Sequence, residues 1–171
     1  MKGACSEGGV MLKVYIKRAG NGIYVIGPIG RIIGKKEDDK VNKAINKCER
    51  NKKCKHIILD LSDVDFMDSA FVGAIGYHHA MMSHDGGDLF VVNQNTSPFN
   101  YVHRIIEFFS VDKVVRVYPT MEECVNTVHE SDRKKAIMDE AEKIRQEEID
   151  EEVEAEIEKN LDRDTKKLNI K

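Results

Sequence analysis

The chain has 171 residues, of which 41% are hydrophobic and 33% are charged, and its formal net charge at pH 7 is −3. That length and composition suffice for one domain with a single core and leave some additional chain. The longest apolar stretch, residues 70–77, is far shorter than a membrane span, and the first ten residues lack an apolar signal core. We therefore expect no membrane segment and no export, and we predict a soluble, cytoplasmic protein.

The first predicted elements are a disordered segment and a hairpin. Residues 1–10 are Gly-rich and polar, which is typical of disorder. Residues 11–16 and 23–26 have the apolar and β-branched content of strands, and Asn21-Gly22 between them is a strong signal for a hairpin turn. Gly27-Pro28-Ile29-Gly30 is predicted to end the second strand and to begin a loop, since proline cannot donate to a ladder.

A helix and a buried strand follow the hairpin. Residues 35–51 place apolar side chains at helical spacing opposite lysines and acids, which predicts an amphipathic helix that packs on the sheet. Residues 57–61, Ile-Ile-Leu-Asp-Leu, are a short apolar run with β-branched side chains, typical of a strand buried on both faces. We expect this strand to lie at the centre of the sheet.

The stretch after the central strand predicts a serine at the start of a helix. Residues 62–65 are a turn-type acidic cluster, and the following Phe-Met pair is expected to point back to the core. From Ala70 onward the residues are small and apolar, which suits a helix close to a sheet, with Asp68 or Ser69 as its N-cap. The Ser69 hydroxyl would then lie at the positive end of a helix dipole, where a phosphate is tolerated. On these residues alone, an ordinary helix cap is the simpler interpretation.

Another strand and another helix are predicted next. A turn at residues 85–88 leads to a strand at residues 89–92. A helix is predicted to begin at Ser97-Pro98, because proline is favoured at the first helical position. The inner face of this helix is expected to consist of apolar side chains at helical spacing, namely Val102, Ile105, Ile106 and Phe109.

The last elements of the body complete an alternating order. Residues 110–113 are expected to break the preceding helix, and residues 114–118 are predicted to form a strand. Thr120 is expected to cap a further helix, with Glu123 three residues later as in a capping box. The resulting order, β-β-α-β-α-β-α-β-α, predicts an α/β fold with a mixed, largely parallel sheet and right-handed crossovers.

Residues 66–73, Phe-Met-Asp-Ser-Ala-Phe-Val-Gly, resemble a known signature. They are similar to the STAS domain, and within it to the bacterial anti-sigma factor antagonists, whose central strand and acidic loop lead to Asp-Ser-Ser-Gly-Leu-Gly at a helix start. The match keeps the Asp-Ser pair and the second glycine, but Ala70 replaces the second serine and Phe71 replaces the first glycine. The resemblance extends over residues 11–130 and implies the STAS fold.

The resemblance implies a phosphorylation switch. By analogy, the protein is an anti-sigma factor antagonist that binds an anti-sigma factor serine kinase while Ser69 is unphosphorylated and releases it once that kinase has phosphorylated Ser69. A metal-dependent serine phosphatase would restore the serine. Bulky Phe71 is expected to change the shape of the helix start where the partner docks. The implied contact residues belong to the helix start and to the loop from Gly30, namely Asp68, Ser69, Ala70, Phe71, Val72, Gly73, Gly30, Arg31 and Ile32.

Residues 131–171 form a charged tail with 14 acids and 10 bases, a net charge of −4. With no Gly or Pro, the tail is predicted to be helical to about Leu161. Its apolar residues fall on two nearly opposite helix sides, so the helix either breaks near residues 145–148 or uses one side on the body and the other on a partner or a second copy. A solvated helix is equally open. Residues 147–158 contain eight acids and no base, which argues against nucleic-acid binding. The two apolar sets are Ile137, Ala141, Ile144 and Ile149, Val153, Ile157, Leu161.

No enzyme signature is found. Three histidines cluster near the end of the Ser69 helix without an acidic or Cys ligand at metal-binding spacing, so we expect surface residues and no metal site. The Gly-rich segments lack both phosphate-loop and dinucleotide patterns, and we expect no cofactor. The four cysteines show no CxxC pairing and are predicted to be reduced thiols. Two functions have residues in their favour: the phosphorylation switch, and a STAS adaptor that is never phosphorylated and forms a homodimer through its tail. A third, a STAS domain that binds a small ligand, has no residue in its support. The three histidines are His78, His79 and His84, and the four cysteines are Cys5, Cys48, Cys54 and Cys124.

Overall fold

The structure of the protein, a computed structural model, describes the backbone of residues 11–168 and the side chains of residues 11–147, 149, 150 and 152–154. The segment 1–10, predicted to be disordered and containing Cys5, lies outside the described residues, as do residues 169–171. The described chain consists of strands, four α-helices and one short 3-10 helix.

One mixed sheet carries the candidate site. Its main path runs through β1 (Lys13–Gly20), β2 (Ile23–Ile32), β3 (His56–Asp60), β5 (Asp88–Val92) and β6 (Val117–Tyr118), in that order. Strand β4 (Val64–Met67) pairs with the end of β2. β1 and β2 are antiparallel, and the other pairs are parallel. The predicted α/β fold with a mixed, largely parallel sheet is confirmed.

The hairpin turn is also confirmed. Asn21 and Gly22, between β1 and β2, have φ angles of 45° and 79°. Two successive residues with positive φ match the right-handed twist of the paired strands, and Asn-Gly is the pair that adopts them with least strain.

Three of the four described α-helices pack on this sheet. The four helices are α1 (Lys35–Glu49), α2 (Ser69–His84), α3 (Tyr101–Phe108) and α4 (Met121–Leu168). α1 packs against β2, α2 against β5 and α3 against β4. Ile57, Ile58 and Leu59 of β3 are fully buried, as expected for a central strand. Burial of each such side chain contributes about 1.5–3 kcal/mol, so β3 holds the centre of the core.

Strand β2 is longer than predicted. It continues through Gly27 and Pro28 to Ile32, where the sequence predicts a loop. Its parallel partner is β3 as far as Ile26 and β4 from Gly30 onward. Pro28 lies between these two paired segments, so its missing N–H is not needed by a parallel neighbour. The prediction that Gly27–Gly30 ends the strand is wrong.

Other boundaries also differ from the predictions. Residues 64–67 form β4 rather than part of a loop, because pairing with β2 supplies hydrogen bonds that a local pattern cannot reveal. α3 begins at Tyr101 with Asn100 as N-cap, its Oδ1 accepting from His103 N at 2.8 Å, and not at Pro98. Val102 and Ile106 are buried as predicted and Ile105 is half-buried, whereas Phe109 is 43% exposed.

The last strand is shorter than predicted. Val111–Lys113 is a 3-10 helix that follows Ser110 in the left-handed conformation, and strand structure is confined to Val117–Tyr118. The predicted cap at Thr120 is confirmed, since Glu123 N donates to Thr120 Oγ1 at 3.2 Å. Among the described helices, none is long and apolar enough to cross a membrane.

Contacts divide the chain into two units, residues 1–125 and residues 126–171. In the second unit, the described residues up to Leu168 form one continuous stretch of α4. The predicted alternative of a break near residues 145–148 is wrong, because Glu, Lys, Ala and Arg favour an unbroken helix and no Gly or Pro interrupts it. Ile157 and Leu161 have side chains outside the described set. The exposed large apolar side chains among the described residues of this unit are Ile137, Met138, Ile144, Ile149 and Val153.

Candidate functional site

Ser69 is the first residue of α2 and is exposed to solvent. The N-cap is Asp68, whose Oδ1 accepts a hydrogen bond from Phe71 N at 3.0 Å. This geometry decides between the two cap residues that the sequence allows. Because Asp68 caps the helix, Ser69 is left outside that role, and no group among the described residues hydrogen-bonds to its hydroxyl. The Ser69 hydroxyl is therefore open to reaction from solvent.

Asp68 also ties this turn to the loop between β2 and α1. Its Oδ2 accepts a hydrogen bond from Gly34 N at 2.8 Å, and its own N–H donates to Ile32 O at 3.2 Å. The hydrogen bond from Gly34 is the main reason why the pKa of Asp68 lies below its ordinary 3.8. Burial raises this pKa in part, and hydrogen bonds from the backbone of Phe71 and Ala70 lower it further. The carboxylate is thus ionised at neutral pH and connects two helix starts.

The lowered pKa of Asp68 predicts an acid-dependent loss of stability. A carboxyl whose folded-state pKa is depressed contributes stability above its unfolded pKa of 3.8 and loses it as the pH falls through the folded pKa. Urea unfolding between about pH 6 and pH 3 should therefore show a smaller acid-induced loss for Asp68→Asn than for the unchanged protein. Equal pH slopes for the two proteins would contradict this assignment.

An aromatic stack lies on the flank of the site. Arg31 of β2 is paired in register with Phe66 of β4, and its guanidinium carbon lies 5.3 Å from the centre of the Phe66 ring. The Phe66 ring in turn stacks on Tyr101 of α3 with a centroid distance of 4.2 Å. The sequence pattern predicts Phe66 in the core and predicts no role for Tyr101. A period-2 strand pattern places Phe66 on the same face as the buried Val64, so it gives no signal for a half-exposed Phe66.

The predicted contact residues separate into exposed and buried ones. Arg31, Ser69, Ala70 and Gly73 are exposed, and Asp68 and Val72 are half-buried. Gly30, Ile32 and Phe71 are buried. The side chain of Phe71, which is expected to change the shape of the helix start, is fully buried in the core and presents no ring on the exposed surface. We define the docking face as the exposed members of the predicted set, Arg31, Ser69, Ala70 and Gly73, together with the neighbouring Ile33 and Phe66.

Two of the three histidines of α2, His78 and His79, contact residues of other elements. His78 is buried, with Nδ1 2.8 Å from Glu49 Oε1 and Nε2 3.3 Å from Asn42 Oδ1, both on α1. His79 Nδ1 lies 2.9 Å from Asp88 Oδ1. Only His84 is highly exposed, so the prediction that all three are surface residues is wrong for His78. Within the described side chains, no group of three or more His, Cys, Asp or Glu residues could hold a metal ion.

The three described cysteines are free thiols. Burial raises the pKa of Cys54 and Cys124 to about 12, and it also raises the pKa of Cys48. Because the thiolate is the reactive form, these thiols are poor nucleophiles at neutral pH. Cys48, Cys54 and Cys124 therefore add to the packing of the body rather than to a reactive site.

Comparison with known proteins identifies the family. Residues 18–124, more than half of the chain, match the family model of the STAS domain. The chain belongs to the STAS domain family. The resemblance inferred from residues 66–73 is thereby confirmed at the level of the family, and it places the Asp68-Ser69 pair at the start of α2 of a STAS domain.

This STAS domain is similar to proteins described as anti-sigma factor antagonists. It is 28% identical over 80 residues to the anti-sigma F factor antagonist of Paenibacillus polymyxa, and the match covers 47% of this chain and 65% of that relative, just under two thirds of its length. Its fold is similar to SpoIIAA in the unphosphorylated form, with a TM-score of 0.56, 18% identity and coverage of 68% and 96% of the two chains. For Bacillus SpoIIAA in the phosphorylated form the TM-score is 0.52, with 18% identity and coverage of 68% and 99%. At these identities, the structural likeness shows the fold.

Proposed function

We propose that this protein is an anti-sigma factor antagonist switched by phosphorylation of Ser69. While Ser69 is unmodified, the docking face binds an anti-sigma factor serine kinase, and the sigma factor is regulated indirectly. Transfer of a phosphate to Ser69 ends the complex, and a metal-dependent serine phosphatase resets it. The protein itself acts as a cytoplasmic binding module and not as an enzyme. The observation that carries the proposal is the exposed hydroxyl of Ser69, left uncommitted because Asp68 caps α2.

Local electrostatics supports the switch. Phosphorylation would add a charge of about −1.5 to −2 and three acceptor oxygens at Ser69. The neighbouring Asp68 carboxylate is already ionised. Its charge also raises the pKa of Asp38, for which burial is the largest cause and Asp68 the second largest. A surface fitted to a neutral hydroxyl beside the ionised Asp68 therefore gains strong negative charge, which repels an acidic partner.

The family relatives support the same proposal. The curated relative is described as an anti-sigma F factor antagonist, and SpoIIAA has been solved in both unphosphorylated and phosphorylated forms. The Asp-Ser pair stands at the helix start in this chain, and Ala70 is exposed and leaves one hydroxyl there instead of two. Ser69 is accordingly the single candidate acceptor in the turn at residues 68–73.

Partner capture with Ser69→Asp tests the switch. We expect Ser69→Asp to reduce recovery of the kinase roughly a hundredfold, since like charges brought together at an interface cost several kcal/mol. Mass spectrometry of the protein from its own cells should find phosphate on the peptide that contains Ser69. Ser69→Ala should keep the partner and carry no phosphate.

Ser83→Asp is the matched control. Ser83 is an exposed serine near the other end of α2, roughly 20 Å from Ser69 along the helix axis. The substitution Ser83→Asp adds the same charge to the same helix, but away from the docking face, so recovery of the partner should be unchanged. An unmodified Ser69 under all growth conditions, together with full partner recovery by Ser69→Asp, would refute the proposal.

A second candidate function is a STAS adaptor that forms a homodimer through α4. The observation in its favour is the set of exposed apolar side chains in the second unit, with exposed fractions from 45% for Ile149 to 70% for Met138. Such side chains on a charged helix are typical of packing against another helix. This candidate does not need Ser69 to be modified.

Light scattering tests the adaptor. If α4 mediates a homodimer, the mass in solution should be twice that of the chain, and serine substitutions of the apolar residues should return it to one chain. Ile149→Ser with Val153→Ser, compared with Ile137→Ser with Ile144→Ser, tells which side of the helix carries the contact. A mass of one chain at all concentrations would remove this candidate.

A further inference from the structure

The Asp68 carboxylate bonds to two distant parts of the chain at once. Oδ1 accepts from Phe71 N at 3.0 Å inside α2, and Oδ2 accepts from Gly34 N at 2.8 Å immediately before α1. Gly34 and Asp68 are 34 residues apart in the sequence. A short side chain with two acceptor oxygens is needed for both bonds, since asparagine and serine each offer a single oxygen. The identity of residue 68 is therefore more restricted than a helix cap requires.

The Gly34 end of this bridge has little other support. Gly34 precedes α1 with φ 77° and ψ 172°, and no side chain caps the helix there. Its carbonyl accepts from Asp38 N at 3.1 Å, which starts α1, whereas its N–H is bonded to Asp68. Residues 33–36 are all exposed. Beyond the bond between Asp68 N and Ile32 O at the end of β2, the hydrogen bond from Gly34 N to Asp68 thus holds the exposed loop beside Ser69.

We propose that Asp68 is a positioning residue that couples the state of Ser69 to the conformation of the loop at residues 33–36. With Ser69 unmodified, the carboxylate holds the loop at the edge of the docking face. A phosphate on the next residue repels the carboxylate and competes for the N–H groups at the start of α2. Gly34 N then loses its partner and the loop is released. The coupling rests on the proposed phosphorylation of Ser69, whereas the positioning role does not.

The coupling gives a partner two signals from one modification. The first is the new charge at Ser69. The second is the loss of an ordered segment that presents Ile33, which is 42% exposed, together with the cations Lys35 and Lys36. An interface that includes this segment must then order the loop on binding, and that entropy cost weakens the complex. This surface fits a partner patch with an apolar centre and acidic groups.

Amide hydrogen exchange on the full chain tests the positioning role. Serine at position 68 keeps the cap but cannot reach Gly34, so Asp68→Ser should speed exchange of the Gly34 amide at least roughly tenfold, the factor that corresponds to loss of about 1.4 kcal/mol. Amides inside α2, such as that of Ile75, should keep the exchange rate of the unchanged protein. If Asp68 acted only as a cap, serine would replace it, and Asp68→Ser would leave exchange unchanged both at Gly34 and in α2.

Two further variants complete the experiment. Asn100→Ser makes the corresponding change at the N-cap of α3. There Asn100 Oδ1 accepts a hydrogen bond from His103 N, within the same helix start. This variant should therefore leave the exchange of the Gly34 amide unchanged. Asp68→Asn keeps the size of the side chain but leaves it one acceptor oxygen instead of two. Exchange of the Gly34 amide in this variant provides the test if Asp68→Ser does not fold. Ser69→Asp, the probe for the modified state, should speed Gly34 exchange in the same direction as Asp68→Ser.

The outcomes separate this inference from the proposed function. Unchanged Gly34 exchange in both Asp68 variants would overturn the positioning role, whatever the state of Ser69 in cells. Faster exchange in those variants but not in Ser69→Asp would overturn the coupling. Faster exchange in all three variants, with no phosphate ever found on Ser69 in cells, would support the positioning role of Asp68 and refute the proposed phosphorylation switch.

Discussion

Phe71→Ala is expected to lower the free energy of unfolding by about 3–5 kcal/mol, the range for removal of a buried aromatic side chain. The Phe71 ring is fully buried in the core cluster that joins α2 to the sheet. Truncation would remove its apolar contacts and leave a cavity under the first turn of α2. Because domains of this size are stable by only about 5–15 kcal/mol, the loss would be a large part of the total. Urea unfolding followed by circular dichroism measures it.

Phe108→Ala is the matched control for this prediction. It is the same substitution on a helix of the same body, but Phe108 is 80% exposed. Its expected effect lies within about 0.5 kcal/mol, as for most surface changes. If Phe71→Ala were no more destabilising than Phe108→Ala, the buried position of Phe71 would be wrong, and a role for Phe71 on the docking face would return.

Gly87→Ala is expected to lower the free energy of unfolding by roughly 3 kcal/mol, at the upper end of the cost of overpacking. A Cβ at Gly87 would lie 2.1 Å from the backbone oxygen of Lys55 and 3.1 Å from Met82 Cε. A backbone oxygen cannot move aside without shifting the start of β3, which pairs with β5 immediately after Gly87. The substitution therefore strains the junction between α2 and the centre of the sheet.

The neighbouring glycine provides the control. Gly86 has φ 78° and ends α2, with Gly86 N bonded to Ser83 O and Gly87 N bonded to Met82 O. This is the Schellman arrangement, in which the left-handed residue favours glycine. A Cβ at Gly86 meets nothing within 4 Å, so Gly86→Ala should cost only about 1 kcal/mol of backbone strain. Equal losses of stability for the two alanine variants in urea unfolding would contradict the predicted clash at Gly87.

Much of the fold could be predicted because its signals are local. The Asn21-Gly22 turn, the apolar run of β3 and the helical spacing in α1 depend on neighbours within a few residues. The Asp68-Ser69 pair could be recognised for the same reason, since a helix cap and the residue after it are adjacent in the chain. These local patterns, together with the resemblance of residues 66–73, determined the order of the elements apart from β4 and the 3-10 helix, the family and the residue proposed as phosphate acceptor.

The tertiary structure decided what depends on residues far apart in the chain. Residues 64–67 become a strand, and Pro28 stays inside one, because β2 changes its parallel partner along its length. Burial against the sheet decided that Phe71 belongs to the core, and packing of α2 on α1 decided that His78 is buried beside Glu49. The bond between Asp68 and Gly34 had no signal in the sequence. It arises because adjacent parallel strands end at the same edge of the sheet and bring the chain after β4 beside the chain after β2.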